Sequence, residues 1–200
     1  MKKIVHDALV LGAFALVLGL VLGGVYKITK PAIDLANEKK AQAALFEVFE
    51  DAYIFEAQEY DKDGADSFLS QEGYQDAVDA LYAAQDKDGN VLGYVVTLTA
   101  KDGSQGAIQL SVGVRLDGTV NGYSILAHSE TAGLGSKATE EPFMSQFRDK
   151  KVDKFVVVTV PATADNEIEA IASSTITSKA VANACNAAMA YVESLVGGGN

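Results

Sequence analysis

The sequence predicts an α+β protein, with one N-terminal transmembrane helix followed by an extracytoplasmic domain in which an antiparallel sheet is flanked by helices. Three observations carry that expectation. Ala8 to Tyr26 holds no charged residue and concentrates Leu, Val, Ala and Gly. From Val78 onward, short runs rich in Val, Tyr, Thr and Ile are separated by Asp88-Gly89, Asp102-Gly103 and Asp117-Gly118, which is the punctuation of hairpin-linked strands. Ser178 to Val196 sets Val181, Ala184, Cys185, Ala188, Tyr191, Val192 and Leu195 at helical spacing, and Gly197 follows as the expected stop.

A bilayer-spanning helix needs about 20 apolar residues at roughly 1.5 Å each, and Ala8 to Tyr26 meets that length. No small-residue cleavage pattern precedes Lys27, so the segment is expected to stay as an anchor and not to be removed as a secretory signal. Lys2 and Lys3 on one side nearly balance Lys27 and Lys30 on the other, so charge alone barely sets the orientation. Few residues precede the anchor, so the working part follows Lys30, and with the N-terminus inside it is extracytoplasmic. The expected organisation is residues 1–30 as a short cytoplasmic end and transmembrane helix, 31–77 as a helical or mixed connecting region, and 78–200 as the ligand-binding domain.

The chain carries a formal charge of −11; its first thirty residues contribute +3, which leaves −14 on the remainder. A domain so acidic repels nucleic acid and anionic lipid, so neither is an expected partner of it. Cys185 is the single cysteine; it forms no disulfide within the chain and reads as a small core residue.

Pro31 to about Phe49 reads as a helix, and Asp61, Asp63 and Gly64 as a turn. The strands are expected at Val78–Ala84, Val91–Ala100, Ala107–Arg115 and Val120–Ala127, with a later one at Phe155–Val160. Thr139 is a candidate cap for a short helix that has Glu140, Glu141 and Pro142 in its first turn.

Two segments stand out chemically: His128-Ser129-Glu130-Thr131-Ala132-Gly133-Leu134-Gly135, and Glu169 to Val181 with Ser173-Ser174-Thr175-Ile176-Thr177-Ser178-Lys179 at its centre. The second places hydroxyls just before a helix start, where unpaired N–H groups and the macrodipole favour an anion such as a phosphate. The same hydroxyls also suit plain N-capping, and spacing by itself does not separate the two readings.

Taken together, in this order and behind one N-terminal anchor, the two segments resemble the G subunit of the Rnf complexes and the related C subunit of the sodium-pumping NADH:quinone oxidoreductases. The family motifs read His-x-Glu-Thr-Pro-Gly-Leu-Gly and Asp-Ala-Ile-Thr-Gly-Ala-Thr-x-Thr-Ser-x-Ala-Val. Gly93-Tyr94-Val95-Val96, Gly106-Ala107-Ile108 and Val112-Gly113-Val114 extend the likeness into the meander. The chain departs from the pattern at Ala132 for Pro, Ser173-Ser174 for Gly-Ala, and Glu169 for Asp. The exchange of Gly for Ser173 matters most, because Ser tolerates a positive φ poorly.

The resemblance implies a covalent FMN esterified through its phosphate to Thr175, with Ser174, Thr177, Ser178 and Lys179 around the phosphate and His128, Glu130, Thr131, Gly133, Leu134 and Gly135 at the flavin ring. It implies a redox subunit without independent catalytic activity in an ion-translocating ferredoxin:NAD oxidoreductase complex of the cell membrane. Its partners would be the membrane and iron–sulfur subunits, and a separate flavin transferase would make the ester. The alternative is an anchored extracytoplasmic flavin- or ligand-binding module outside such a complex.

Other chemistries find little support. His6 and His128 are far apart in sequence and form no histidine cluster, so no metal site is expected. Asp61-Lys62-Asp63-Gly64 and Asp86-Lys87-Asp88-Gly89-Asn90 fail the calcium-loop spacing. Ile176, not Ser, stands three residues before Lys179, so the Ser-x-x-Lys arrangement is missing. No Gly-x-Gly-x-x-Gly fingerprint or cysteine-rich iron–sulfur spacing is present.

Overall fold

The structure, a computed structural model, describes residues 2–197. The chain divides between Lys40 and Ala41 into an N-terminal helical unit and a larger unit that carries the sheet.

Helix α1 runs without a break from Lys2 to Val48, with Pro31 inside it. The sequence suggested an anchor and a second helix starting at Pro31; the two are one. Proline's fixed φ suits a helix, and its cost is one N–H lost and one carbonyl, that of Lys27, set free. Lys27 and Pro31 are both exposed, beyond the apolar run, so that carbonyl is open to solvent. The apolar stretch of α1 is long enough to cross a membrane, and no part of it is covered by protein, unlike the core helix of a globular domain.

The larger unit is built on a five-stranded antiparallel sheet in sequential order: β1 (Ile54–Ala57), β2 (Ala77–Gln85), β3 (Val91–Ala100), β4 (Ile108–Arg115) and β5 (Val120–Ala127). Four strands lie where the sequence set them. One face of the sheet packs Val78, Val96, Leu98, Leu110 and Val112 against α4 (Thr175–Gly197), whose Ala180, Val181, Ala184, Cys185 and Ala188 are buried. On the other face lies a smaller cluster, Leu45, Val48, Phe49, Ala52, Ala84 and Val95. Here the last turn of α1 comes so close to β4 that a Cβ on Gly113 would sit 2.4 Å from the Val48 carbonyl oxygen.

Several local expectations are corrected. The Asp61–Gly64 turn is the start of helix α2 (Lys62–Gln71), with Asp61 in the N-cap position and Ala65 and Leu69 buried. Gly64 had suggested a turn, but burial of those two apolar residues and the bond from Val78 N–H to the Asp66 carboxylate outweigh its weak helix propensity. The late strand is shorter than expected: β6 (Val156–Val158) pairs in parallel with β7 (Glu167–Glu169) in a separate two-stranded sheet. Thr139 caps nothing; it closes a 3-10 turn, Gly135–Thr139, and Glu140 precedes the short helix α3 (Glu141–Met144). Helix α4 starts at Thr175, three residues before the expected Ser178. The Asp86–Asn90 turn is as expected, held by the Asp86 carboxylate accepting from the N–H groups of Asp88 and Asn90.

Buried Asn186 on α4 fixes the segment that leads into β6. Its amide donates to the Phe155 carbonyl at 3.0 Å and its oxygen accepts from the Phe155 N–H at 2.8 Å. Asn186→Ala strands both backbone groups inside the core. An unpaired buried group costs about 1–3 kcal/mol, so the variant should lose roughly 2–4 kcal/mol of stability in denaturant unfolding, whereas a surface change such as Glu193→Ala should lose almost none.

Candidate functional site

The two chemically distinctive segments meet at the N-terminus of α4. The first leaves β5 and turns sharply: Thr131 O accepts from the N–H groups of Leu134 (3.1 Å) and Ser136 (3.2 Å), and Gly133 N–H donates to Ser136 Oγ at 2.8 Å. Gly133 adopts φ +75°, a conformation that glycine takes without a Cβ penalty. His128, Thr131, Gly133 and Leu134 are exposed, whereas Glu130 and Gly135 are buried.

Glu130 ties three pieces of chain together. Its Oε2 accepts from Thr177 Oγ1 at 2.7 Å and its Oε1 from the Gln105 N–H at 3.1 Å. Its own N–H donates to His128 Nδ1 at 3.2 Å, which leaves Nε2 to carry the proton of a neutral imidazole. The packing leaves no spare volume: a Cβ on Gly135 would lie 2.3 Å from Glu130 Oε2 and 2.8 Å from Thr177 Oγ1. Gly135 is therefore a glycine because a carboxylate and a hydroxyl occupy the space of its side chain.

The second segment is organised around the first turn of α4. Ser174 N–H donates to Ile171 O at 2.9 Å, and Ser178 N–H makes the first helical bond, to Ser174 O, at 3.0 Å. Ser178 Oγ donates to that same carbonyl and accepts from the Ile171 N–H, both at 3.0 Å. Ser174 thus stands in the N-cap position, and the backbone N–H groups of Thr175, Ile176 and Thr177 have no acceptor within the helix. Between Ile171 and Ser174 the chain passes through Ser173 at φ +63°. This is the position at which the resembled motif carries Gly.

The hydroxyls divide into two sets. Those of Thr177 and Ser178 are completely buried and already engaged within the fold, so they hold the loop in shape and do not present themselves to a ligand. Ser174 is 7% exposed. Thr175 is half-buried, and Ser173 and Lys179 are exposed. Thr175 and Lys179 are four residues apart and share a helix face.

Lys137, Glu140, Pro142 and Phe143 face Glu169, Ala170, Ile171 and Ala172 across an open cleft of about 540 Å³. The continuations of the two segments therefore wall one concave space of a size usual for small-molecule sites, roughly 300–1,000 Å³. Gly103, where a Cβ would lie 3.2 Å from Glu130 Oε1, and Gln105, which donates to that oxygen, belong to the site and were missed in the sequence. The Gln105 contact is made by a backbone N–H and leaves no side-chain signature. No cluster of metal-ligating side chains occurs among the described residues.

An apolar helix long enough to span a membrane, joined to an α+β domain with a hydroxyl-bearing helix start beside a cleft, defines a tethered domain suited to a phosphate-bearing ligand. Residues 103–190 match the family described as FMN-binding domain, and residues 1–48 match the RnfG N-terminal region. The chain is 37% identical over 180 residues, covering 90% of it and 86% of the relative, to the G subunit of the proton-translocating ferredoxin:NAD(+) oxidoreductase complex of Clostridium ljungdahlii. It is 33% identical over 199 residues, covering 98% and 96%, to the G subunit of the ion-translocating oxidoreductase complex of Methanosarcina acetivorans. Among solved structures it is similar to the C subunit of the Na(+)-translocating NADH-quinone reductase of Parabacteroides distasonis, with 23% identity, 71% and 77% of the two chains covered, and a TM-score of 0.48.

The chain belongs to the RnfG family, the G subunits of Rnf-type ion-translocating oxidoreductase complexes, whose members are redox subunits.

Ser173 holds a left-handed conformation that costs a non-glycine residue about 1–2 kcal/mol, and glycine's larger unfolded-state entropy offsets part of this. Ser173→Gly is expected to stabilise the domain by roughly 0.5–1 kcal/mol, a rise of about 2 °C in the melting temperature for a chain of this size, followed by circular dichroism in detergent. Ser173→Val should lower it.

Proposed function

We propose that this protein is the covalent-FMN electron-transfer subunit of an ion-translocating ferredoxin:NAD oxidoreductase complex, held by α1 in the cell membrane with its larger unit on the extracytoplasmic side. Thr175 is the attachment residue. Bound there, the flavin would accept and donate electrons between redox partners, while the protein tunes and positions it.

The observation that carries the reading is the contrast among the hydroxyls at the start of α4. Thr177 and Ser178 are buried and bonded, while Thr175, at the first helical position, is half-exposed. A phosphate on Thr175 Oγ1 would sit at a helix N-terminus, where free N–H groups and the positive end of the dipole favour an anion. Lys179, one turn further on the same face, supplies a counter-charge, and Ser174 caps the turn. Positive charge here also offsets the acidity of the rest of the domain.

The ring would lie over the Thr131–Gly135 turn, where Gly133 allows close backbone approach, Leu134 offers apolar contact, and His128 and Thr131 offer polar groups, while buried Gly135 makes room for Glu130 and Thr177. Glu130 takes part indirectly, since both its oxygens are already filled by the chain. A tether through phosphate leaves the ring free for electron transfer and holds the cofactor where free FMN would be lost to the medium. The ester would be made by a flavin transferase, and the electrons would pass to and from neighbouring membrane and iron–sulfur subunits.

The test is peptide mass spectrometry on protein from its native host. The peptide containing Thr175 is expected to carry an FMN phosphoester, and Thr175→Ala protein should carry none while keeping its circular dichroism and melting temperature. Modification at Ser173, or covalent flavin retained in Thr175→Ala, would refute the assignment. An unmodified Thr175 in a flavin-replete host would leave a non-covalent binding module.

A further inference from the structure

A second polar cluster lies away from the hydroxyl-rich helix start. Ala77 of β2 pairs with Thr99 of β3, which places Asp76 opposite Ala100 and sets Asp102 two residues further along the same edge. Strand alternation points Asp76 to the face of Val78, Leu98 and Ala100, the face covered by α4. Helix α4 meets both acids: Asn183 Nδ2 donates to Asp102 Oδ2 at 3.0 Å, and the buried Cys185 thiol senses the charge of Asp76.

Asp76 is only 5% exposed. Asp76 Oδ1 and Asp102 Oδ1 are both shut off from solvent, and neither has a hydrogen-bond partner. Two buried carboxylate oxygens without donors are strongly unfavourable if both acids are ionised. The missing element is a donor. Among the described residues no third metal-ligating side chain joins the pair, so it lacks the oxygen count that a calcium or magnesium ion requires. A proton meets the need, turning one acid into a donor.

We propose that Asp76 and Asp102 form a proton-binding pair which holds a single proton and thereby keeps the β3–β4 loop docked on α4. The groups facing Asp76 favour this. Burial, and then the charge of Asp102, push its carboxyl up to about 7, against the opposing effect of a hydrogen bond from its own backbone N–H and of exposed Lys101. On the remaining sides are Tyr74 and Cys185; burial raises both above their ordinary values, with Asp76 adding to each, so neither contributes a charge near neutral pH.

The loop links this pair to the first site. Asp102 and Gln105 lie on it, and the Gln105 N–H fills one oxygen of Glu130. Loss of the proton to solvent leaves two like charges side by side, forces Asp102 outward and loosens the Gln105–Glu130 bond. In the unfolded chain Asp76 titrates near its ordinary value of 3.8. Stability from the pair is therefore complete below about that pH. It declines by up to tenfold in the folding equilibrium per pH unit as pH rises towards about 7, and changes no further above it.

The experiment is carboxyl-carbon NMR of the full chain in detergent micelles, labelled at aspartate. One aspartate is expected to titrate near 7, to vanish in Asp76→Asn and to shift to lower pH in Asp102→Asn, which removes the like charge. Asp76→Asn, a mimic of the protonated acid, should match or exceed the wild type in stability at pH 8 and protect the Gln105 amide better from exchange. Titration of every aspartate in the ordinary range, or a midpoint unmoved in Asp102→Asn, overturns the proposal. The pair needs no flavin, so Thr175→Ala protein should give the same titration, and the two proposals fail separately.

Discussion

A carboxylate removed from water needs donors for its oxygens, and in this domain Glu130 meets that requirement by drawing two segments distant in sequence onto its own. The Thr177 hydroxyl comes from the start of α4 and the Gln105 N–H from the β3–β4 loop, while Gly135, in Glu130's own turn after β5, leaves room for the carboxylate. The geometry of the candidate site depends on that meeting. It holds the first turn of α4 against the Gly133–Gly135 turn and leaves Thr175 on the outer side of the helix start. It also commits Thr177 to the fold, so that a hydroxyl two residues from the proposed attachment point is a support.

The same helix serves the rest of the domain. Its small residues Ala180, Ala184, Ala187 and Ala188 lie against the sheet, which brings backbone close to backbone. The polar side chains it does bury are each matched: Thr177 with Glu130, Ser178 with Ile171 and Ser174, and Asn186 with Phe155. Among the described residues, the buried side-chain oxygens left without donors are one each of Asp76 and Asp102, beside β2 and β3. The left-handed Ser173 lies directly beside the helix start. Backbone strain of this kind persists where surrounding bonds over-determine it, and here the Ser174–Ile171 and Ser178–Ile171 bonds close the turn around it.

Much of the architecture was legible because its signals are local. Alternating apolar runs between Asp-Gly turns marked β2 to β5, and a continuous apolar stripe marked α4. The misreadings share a cause. Helix α2 is weak in propensity, with Gly64 in its first turn, and it forms because Ala65 and Leu69 are buried. Strand β1 is four residues long and mostly exposed; it exists because Phe55 and Ala57 find partners on β2. The parallel pairing of β6 with β7 has no turn to announce it. The start of α4 was placed late because hydroxyl residues favour caps and turns in general, while here Ser174 alone takes the N-cap position and the others lie inside the first turn.

The sequence by itself determined the apolar span, the acidic charge of the remainder, the meander and the hydroxyl-rich helix start, since each follows from residue type and short-range spacing. It also carried the motifs by which the family is recognised. The tertiary structure decided which hydroxyls are free and which are consumed, that Glu130 supports the site from within, that Gln105 completes it through its backbone, and that one oxygen each of Asp76 and Asp102 is buried without a donor. Those outcomes depend on burial and on contacts between residues as far apart as Glu130 and Thr177, and such distances are fixed only when the sheet has set the register of its strands and α4 has closed over it.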